Sequence, residues 1–246
     1  MRIVACLNGS RSTGEHPSVP VAPRQLADDA RAAVDAGATE VHLHPRGEDG
    51  AESLEPQAVA AAVAAVRAAV PGVVVGVTTS LSAEPDPLRR YDLINRWSEL
   101  PDLASVNMHE PGSAEVVREL LDRRVGIEAG LWTPDAARIL LASGLAGEVG
   151  AVLVEPMDPE PERALAAAAE IDRLLDARGV RAPRLLHGTG AAAWPLLAAA
   201  VEQGRDIRIG LEDVLTEPSG ARADGNAALV RLAVARAAEA GRARLS

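Results

Sequence analysis

The strongest constraint on the fold is a rhythm. Eight times along the chain, a short apolar run rich in β-branched residues precedes a longer alanine-rich segment of helical periodicity, at intervals of roughly 30 residues. The apolar runs cover residues 3–7, 39–44, 73–78, 103–107, 125–129, 149–155, 184–187 and 206–211. The helical patterns cover 23–36, 56–70, 87–100, 113–123, 134–142, 161–177, 191–203 and 225–240. Strands that alternate with helices form parallel sheets joined by crossovers. Eight such units in 246 residues predict an α/β chain forming a single (β/α)8 barrel domain over residues 1–246. The rival, an open doubly wound sheet, would carry a glycine-rich dinucleotide loop after its first strand. The chain has Asn8-Gly9-Ser10-Arg11 there.

Composition narrows the chemistry. All 25 basic residues are arginine, so Schiff-base catalysis, covalent pyridoxal phosphate and a P-loop lysine are excluded. The one cysteine, Cys6, excludes an internal disulfide, a zinc ribbon and an iron–sulfur cluster held by this chain alone. Phenylalanine is absent, which argues against a surface of stacked aromatics for single-stranded nucleic acid. The net charge of −10 argues against a broad nucleic-acid or anionic-membrane surface. No targeting segment or membrane span is read from the sequence, and the expectation is a soluble cytoplasmic protein.

Barrels of this kind carry their chemistry at the carboxyl ends of the strands. There the chain places Asn8, His42, His44, Thr78, Thr79, Ser80, Asn107, His109, Glu128, Glu155, His187, Arg208, Glu212 and Asp213. His42-Leu43-His44 is the most specific signal, because residues two apart on a strand share a face. Two inward imidazoles suit one divalent metal; the alternative is one core histidine and one pocket histidine. The eighth strand, Ile207-Arg208-Ile209-Gly210-Leu211-Glu212-Asp213, turns Arg208, Gly210 and Glu212 inward by the same period. The second and eighth strands both flank the first, so Glu212 completes a candidate His2Glu site.

Arg208 is a candidate clamp for a substrate carboxylate, or else the buried ion-pair partner of Glu212. Gly210 is expected to leave room for a ligand near the backbone. Asp213 reads as a general base beside the metal, or as an Asx turn. Thr78, Thr79, Ser105 and Asn107 can hydrogen-bond a polar substrate or merely start loops. Asn8, His109, Glu128 and His187 are candidates for supporting roles around the site, and His109-Glu110-Pro111-Gly112 also reads as a turn. His187-Gly188-Thr189-Gly190 is a small-residue loop whose amides can hold an anion.

Together these residues resemble the β-keto acid cleavage enzymes, whose founding activity is 3-keto-5-aminohexanoate cleavage. The resemblance is carried by Asn8-Gly9, His16-Pro17-Ser18-Val19-Pro20-Val21-Ala22-Pro23, Ala36-Gly37-Ala38, His42-Leu43-His44-Pro45-Arg46 and Thr78-Thr79. Its longest stretch is Gly204-Arg205-Asp206-Ile207-Arg208-Ile209-Gly210-Leu211-Glu212-Asp213, followed by Asn226 and Leu229-Val230. It spans the chain, with a looser middle third. After His44 the family usually reads x-Arg-Asp, and here the chain reads Pro45-Arg46-Gly47-Glu48-Asp49.

The resemblance implies a barrel with catalytic Zn2+ on His42, His44 and Glu212, substrate contacts from Arg208, Thr78 and Ser105, and Asp213 as base. It implies condensation of a β-keto acid with acetyl-CoA to give acetoacetate and a new acyl-CoA, in a homo-oligomer (dimer or tetramer). The sequence assigns no role to Arg11 or Arg46, toward CoA or otherwise. Two other readings stand beside it. One is a metal-dependent barrel lyase or hydrolase of class II aldolase type that does not use CoA. The other is a non-catalytic binding protein with a vestigial metal site.

Overall fold

A computed structural model describes residues 1–243. Eight parallel strands, each followed by a helix, form a nearly closed barrel. The strands are β1 (Ile3–Cys6), β2 (Glu40–Leu43), β3 (Val74–Thr78), β4 (Leu103–Asn107), β5 (Gly126–Leu131), β6 (Ala151–Val154), β7 (Arg184–Leu186) and β8 (Ile207–Ile209). The helices are α1 (Pro23–Asp35), α2 (Pro56–Ala69), α3 (Pro87–Asn95), α4 (Ser113–Asp122), α5 (Pro134–Ser143), α6 (Pro161–Ala177), α7 (Ala193–Gln203) and α8 (Asn226–Ala243). The sheet order runs β7-β6-β5-β4-β3-β2-β1-β8. One parallel bridge, Leu185 to Asp206, closes the ring between β7 and β8.

Period-two alternation divides the sheet into two faces. Ile3, Ala5, Leu7, Val41, Leu43, Val75, Val77, Ile127, Val152, Ile207 and Ile209 face outward into the layer shared with the helices. The inward residues form a separate small cluster of Val4, Cys6, Ala151, Leu153 and Leu185. Much of the rest of the interior is polar or charged. At its amino-terminal end Arg2 meets Asp206 at 2.8 Å, Glu40 at 3.3 Å and Glu128 at 3.8 Å. Burial, with Glu128 alongside, pushes the Glu40 carboxyl up to about 7.

Helix starts follow local chemistry: α1, α2, α3, α5 and α6 each begin with proline, whose fixed φ suits the first turn. Asp86 caps α3 through the amides of Leu88 and Arg89, and Thr133 caps α5 through Ala136. Several expected elements are shorter in the structure, and two of them, α3 and β8, have a clear physical cause. The pattern over 87–100 predicts a longer α3, which ends at Asn95. There Arg123 takes the carbonyls of Ile94, Asn95 and Trp97, while the Trp97 indole donates to the Leu54 carbonyl. β8 ends at Ile209, and a turn follows in which the amides of Asp213 and Val214 both donate to the Gly210 carbonyl.

Gly210 does not leave room for a ligand. A Cβ at this position would overlap the Cys6 carbonyl oxygen and lie 2.8 Å from Asn226 Oδ1. The space is filled by the close approach of β1 to the end of β8. Asn226 locks that approach: its Nδ2 donates to the Leu7 carbonyl at 2.7 Å and its Oδ1 accepts from the Leu211 amide at 2.7 Å. The same Nδ2 donates to Asp29 Oδ2 at 2.5 Å.

Gly210→Ala should therefore destabilise the protein by about 3 kcal/mol, the upper end for overpacking, read as a lowered midpoint in denaturant. An unchanged midpoint would show that the approach of β1 to β8 is not tight. Burial raises the Asp29 carboxyl from 3.8 to about 6, against the hydrogen bond from Asn226. The folded state thus favours the proton, and this contribution is full below the unfolded value and lost as pH rises through the folded one. Asp29→Asn should be more stable than wild type at about pH 8 and lose that advantage by about pH 4. An advantage equal at both pH values would exclude Asp29 as its source.

Candidate functional site

The carboxyl ends of β1, β2 and β8 bring His42, His44 and Glu212 together. One ligand atom from each lies within 4.8 Å of the others. His42 Nε2 is 3.8 Å from Glu212 Oε2, and His44 Nε2 is 3.6 Å from Glu212 Oε1. The imidazoles meet edge to face at 5.2 Å.

His42 lies inside β2, but His44 lies beyond its end. Asn8 continues the pairing there: its Oδ1 accepts from the His44 amide at 2.9 Å, and its Nδ2 donates to the carbonyls of His44 and Pro20. Glu212 sits on the turn after β8 rather than on the strand. Its amide donates to the Cys6 carbonyl, and Gly9 admits its side chain, since a Cβ there would overlap Glu212 Cγ.

The donor set fits a divalent cation. Two imidazole nitrogens and a carboxylate oxygen make a three-ligand site with open positions, and Glu212 Oε2 is buried without a hydrogen-bond partner. Burial depresses His44, yet the Glu212 and Glu52 carboxylates outweigh it and raise the imidazole to about 9. The site thus favours positive charge. Burial, with Arg208 nearby, holds His42 well below its ordinary value, so its ring is neutral. Burial acts upward on Glu212, but Arg208 and the two histidines hold it well below the usual carboxylate range.

Arg208 is 3% exposed and pairs with Glu212 Oε1, with its Nε 3.9 Å from Asp213 Oδ1. Both readings of Arg208 remain compatible, because the guanidinium also lines the open cavity. Asp213 is buried, and desolvation raises its carboxyl to about 6 against the pull of Arg208. Neither of its oxygens has a hydrogen-bond partner. His187 stands between two carboxylates, with Nδ1 3.6 Å from Asp213 and Nε2 3.4 Å from Glu155. The loop after β7 holds no free anion nest at Gly190, whose amide donates to the Asp213 carbonyl at 2.8 Å.

These groups open onto a cavity of 320 Å³, which Thr78, Ser105 and Asn107 also line. Thr79 does not line it. Its hydroxyl donates to the Ser105 carbonyl at 2.8 Å, because Thr79, one residue past the end of β3, continues the outward-facing set of Val75 and Val77. His109 is exposed and packs on Trp132 at 4.6 Å. Glu128 lies deeper, with Arg2 at the amino-terminal end of the barrel. His16 ties the loop after β1 to the loop after β8 through the Ala223 carbonyl. Asn107 Nδ2 donates to Glu110 at 3.0 Å, and Glu110 is held by buried Arg90.

Sequence reasoning missed Glu52, which contacts His44 Nδ1 through Oε1. The loop after β2 folds back as a small hairpin, with Arg46 bridged to Glu52 and Gly50 at φ 80°. The dipeptide Asp49-Gly50 is a hairpin-turn signal, and it marks the reversal that returns Glu52 toward the end of β2. A carboxylate on the far nitrogen of a ligand histidine fixes its tautomer and orientation. Glu52→Gln should lower divalent-metal affinity about 10- to 100-fold with the fold intact, measured by competition with a chromogenic chelator. Unchanged affinity would remove Glu52 from the site.

A family model for the β-keto acid cleavage enzymes matches residues 1–126 and 146–246. Among solved structures, the chain is similar to ObcA. With the binary complex of ObcA with oxaloacetate it shares 19% identity and a TM-score of 0.66, over 92% of this chain and 64% of that one. With the ternary complex of ObcA with a C4-CoA adduct and oxalate it shares 17% identity and a TM-score of 0.70, over 92% and 65%. The chain thus spans a little under two thirds of the length of ObcA. It is also similar in fold to the 3-dehydroquinate dehydratase of Aquifex aeolicus VF5, at 14% identity and a TM-score of 0.59, over 97% and 98%. No curated protein sequence matches the chain. On the family match over both halves of the barrel, the chain belongs to the β-keto acid cleavage enzyme family.

Proposed function

We propose that the protein is a zinc-dependent acyltransferase that condenses a β-keto acid with acetyl-CoA and releases acetoacetate and a new acyl-CoA. The observation that carries this reading is the shared floor of one cavity: His42, His44 and Glu212 stand beside Arg208 and Asp213. The ObcA complexes with oxaloacetate and with a C4-CoA adduct support a keto acid and a CoA thioester as the ligand types. His42, His44 and Glu212 would hold the metal. When bound, a divalent cation supplies Lewis acidity toward the keto and carboxylate oxygens of the substrate, which acidifies C2.

Arg208 presents its guanidinium to the substrate carboxylate and balances Glu212. Asp213 accepts the C2 proton: its unpartnered oxygens and raised pKa of about 6 suit a base operating near neutrality. His187 and Arg208 both stand beside Oδ1 of that carboxylate, at 3.6 Å and 3.9 Å. Thr78 and Ser105 offer hydroxyls to the substrate. The C2 carbanion displaces CoA thiolate from acetyl-CoA; the thiolate then adds at C3, the C2–C3 bond breaks, and the proton held by Asp213 returns to C2, leaving acetoacetate and the new thioester. This route needs no lysine.

Elemental analysis of protein purified without chelator should give stoichiometric zinc, lost in both His42→Ala and Glu212→Gln. Asp213→Asn should keep the metal and lose roughly 10²- to 10⁴-fold in kcat for acyl-CoA formation. Metal retained by both ligand variants, or turnover of β-keto acids that is indifferent to acetyl-CoA, would overturn this assignment.

A further inference from the structure

We propose that the wall formed by Trp132, Leu153 and Met157 is the subsite for the side chain of the β-keto acid, and that it selects an uncharged, apolar side chain. The inference rests on the transfer reaction proposed above. The triad occupies the β1, β2 and β8 side of the mouth; β5 and β6 stand across the ring from it. A keto acid whose carboxylate and keto oxygens face Arg208 and the triad extends its side chain toward that far wall. The cavity runs unbroken between the two sides, and Leu153 continues it downward into the apolar interior cluster.

Trp132 differs from the other two tryptophans. Trp97 and Trp194 each donate the indole N–H to a backbone carbonyl, of Leu54 and Thr216 respectively, and so fasten loops. The Trp132 indole N–H has no partner, and its ring rests on His109. It fastens nothing and lines the cavity. Residues 127–145 lie outside the family match, and Trp132 falls within them. The chemistry-bearing side of the barrel lies within the family match, as do Leu153 and Met157, whereas Trp132 lies in the segment outside it.

Charge decides the class of side chain. Apart from the two histidines of the triad, the cationic side chains lining the cavity among the described residues are Arg11 and Arg208. Arg11 pairs with Glu15, and Arg208 with Glu212. A carboxylate-bearing side chain would therefore meet no uncommitted cation. Glu155 is the carboxylate beside this wall, and it faces His187 at 3.4 Å. An ammonium-bearing side chain would have to compete with that imidazole while resting on apolar surface. Either charge would be desolvated without a partner of its own; an alkyl group loses nothing there.

The test uses metal-loaded protein and three keto acids of similar size: 3-oxo-5-methylhexanoate, 3-oxo-5-aminohexanoate and 3-oxohexanedioate. Calorimetry reads binding without acetyl-CoA, and acyl-CoA formation reads transfer. The methyl compound should be favoured at least about tenfold over both charged ones in binding and in kcat/KM. Trp132→Ala should erase most of that preference. Met157→Glu, in a loop and 40% exposed, should shift the ratio toward the amino compound by about tenfold and carries the test if Trp132→Ala does not fold. Equal or better use of a charged compound, or a preference untouched by both variants, overturns the subsite while leaving the transferase reading intact. Preferred binding of the methyl compound without any acyl-CoA supports the subsite and overturns the transferase reading. Failure of all three to bind overturns both.

Discussion

The buried charge of Arg208 is the interaction on which the site depends. A guanidinium that is 3% exposed requires carboxylates around it, and the carboxyl end of β8 supplies Glu212 and Asp213. Arg208 keeps Glu212 ionised and pairs with the oxygen that also faces His44, while the other oxygen faces His42. It also limits how far burial can raise Asp213. Carboxylates still outnumber guanidinium groups along the interior, where Arg2 and Arg208 face Glu40, Glu128, Glu155, Asp206, Glu212 and Asp213. The raised pKa of His44 reflects the Glu212 and Glu52 carboxylates beside it, and a divalent cation would answer that negative charge at the same place.

Rigid backbone contacts hold this arrangement. Past the ends of β1, β2 and β8 the ladder of strand hydrogen bonds stops, and two asparagine side chains continue it. Asn8 pairs with the backbone of His44, and Asn226 joins Leu7 to Leu211. Gly210 allows β1 to press against the turn that carries Glu212 and Asp213. Across the barrel, Trp132 and Met157 lie on loops with no comparable strut among the described residues. The mouth thus has one side braced by these contacts and one side of loops.

The rhythm of runs and helices made the architecture legible, because a closed ring of eight parallel strands leaves few other arrangements. His42 and Arg208 were legible from strand alternation alone. Glu212 was placed near them by an argument that extends β8 too far; it reaches the histidines from a turn whose geometry depends on Gly210 and Cys6, contacts remote in sequence. The end of α3 was hidden for the same reason, since Arg123 supplies it from the end of α4. Gly210 was misread because a missing side chain can admit a ligand or a neighbouring backbone, and only the fold decides which. Thr79 shared the polar character of Thr78 but not its face. Glu52 was carried by an overlooked hairpin turn, and Trp132 by no local pattern at all.

The most direct test of the central claim follows carbon. Metal-loaded protein is incubated with a β-keto acid and acetyl-CoA labelled with carbon-13 at the acetyl carbonyl, and the products are read by NMR and mass spectrometry. Condensation followed by thiolate cleavage places the label at C3 of acetoacetate and leaves the new acyl-CoA unlabelled. Unlabelled acetoacetate, or label retained in the acyl group of the new thioester, would contradict the account.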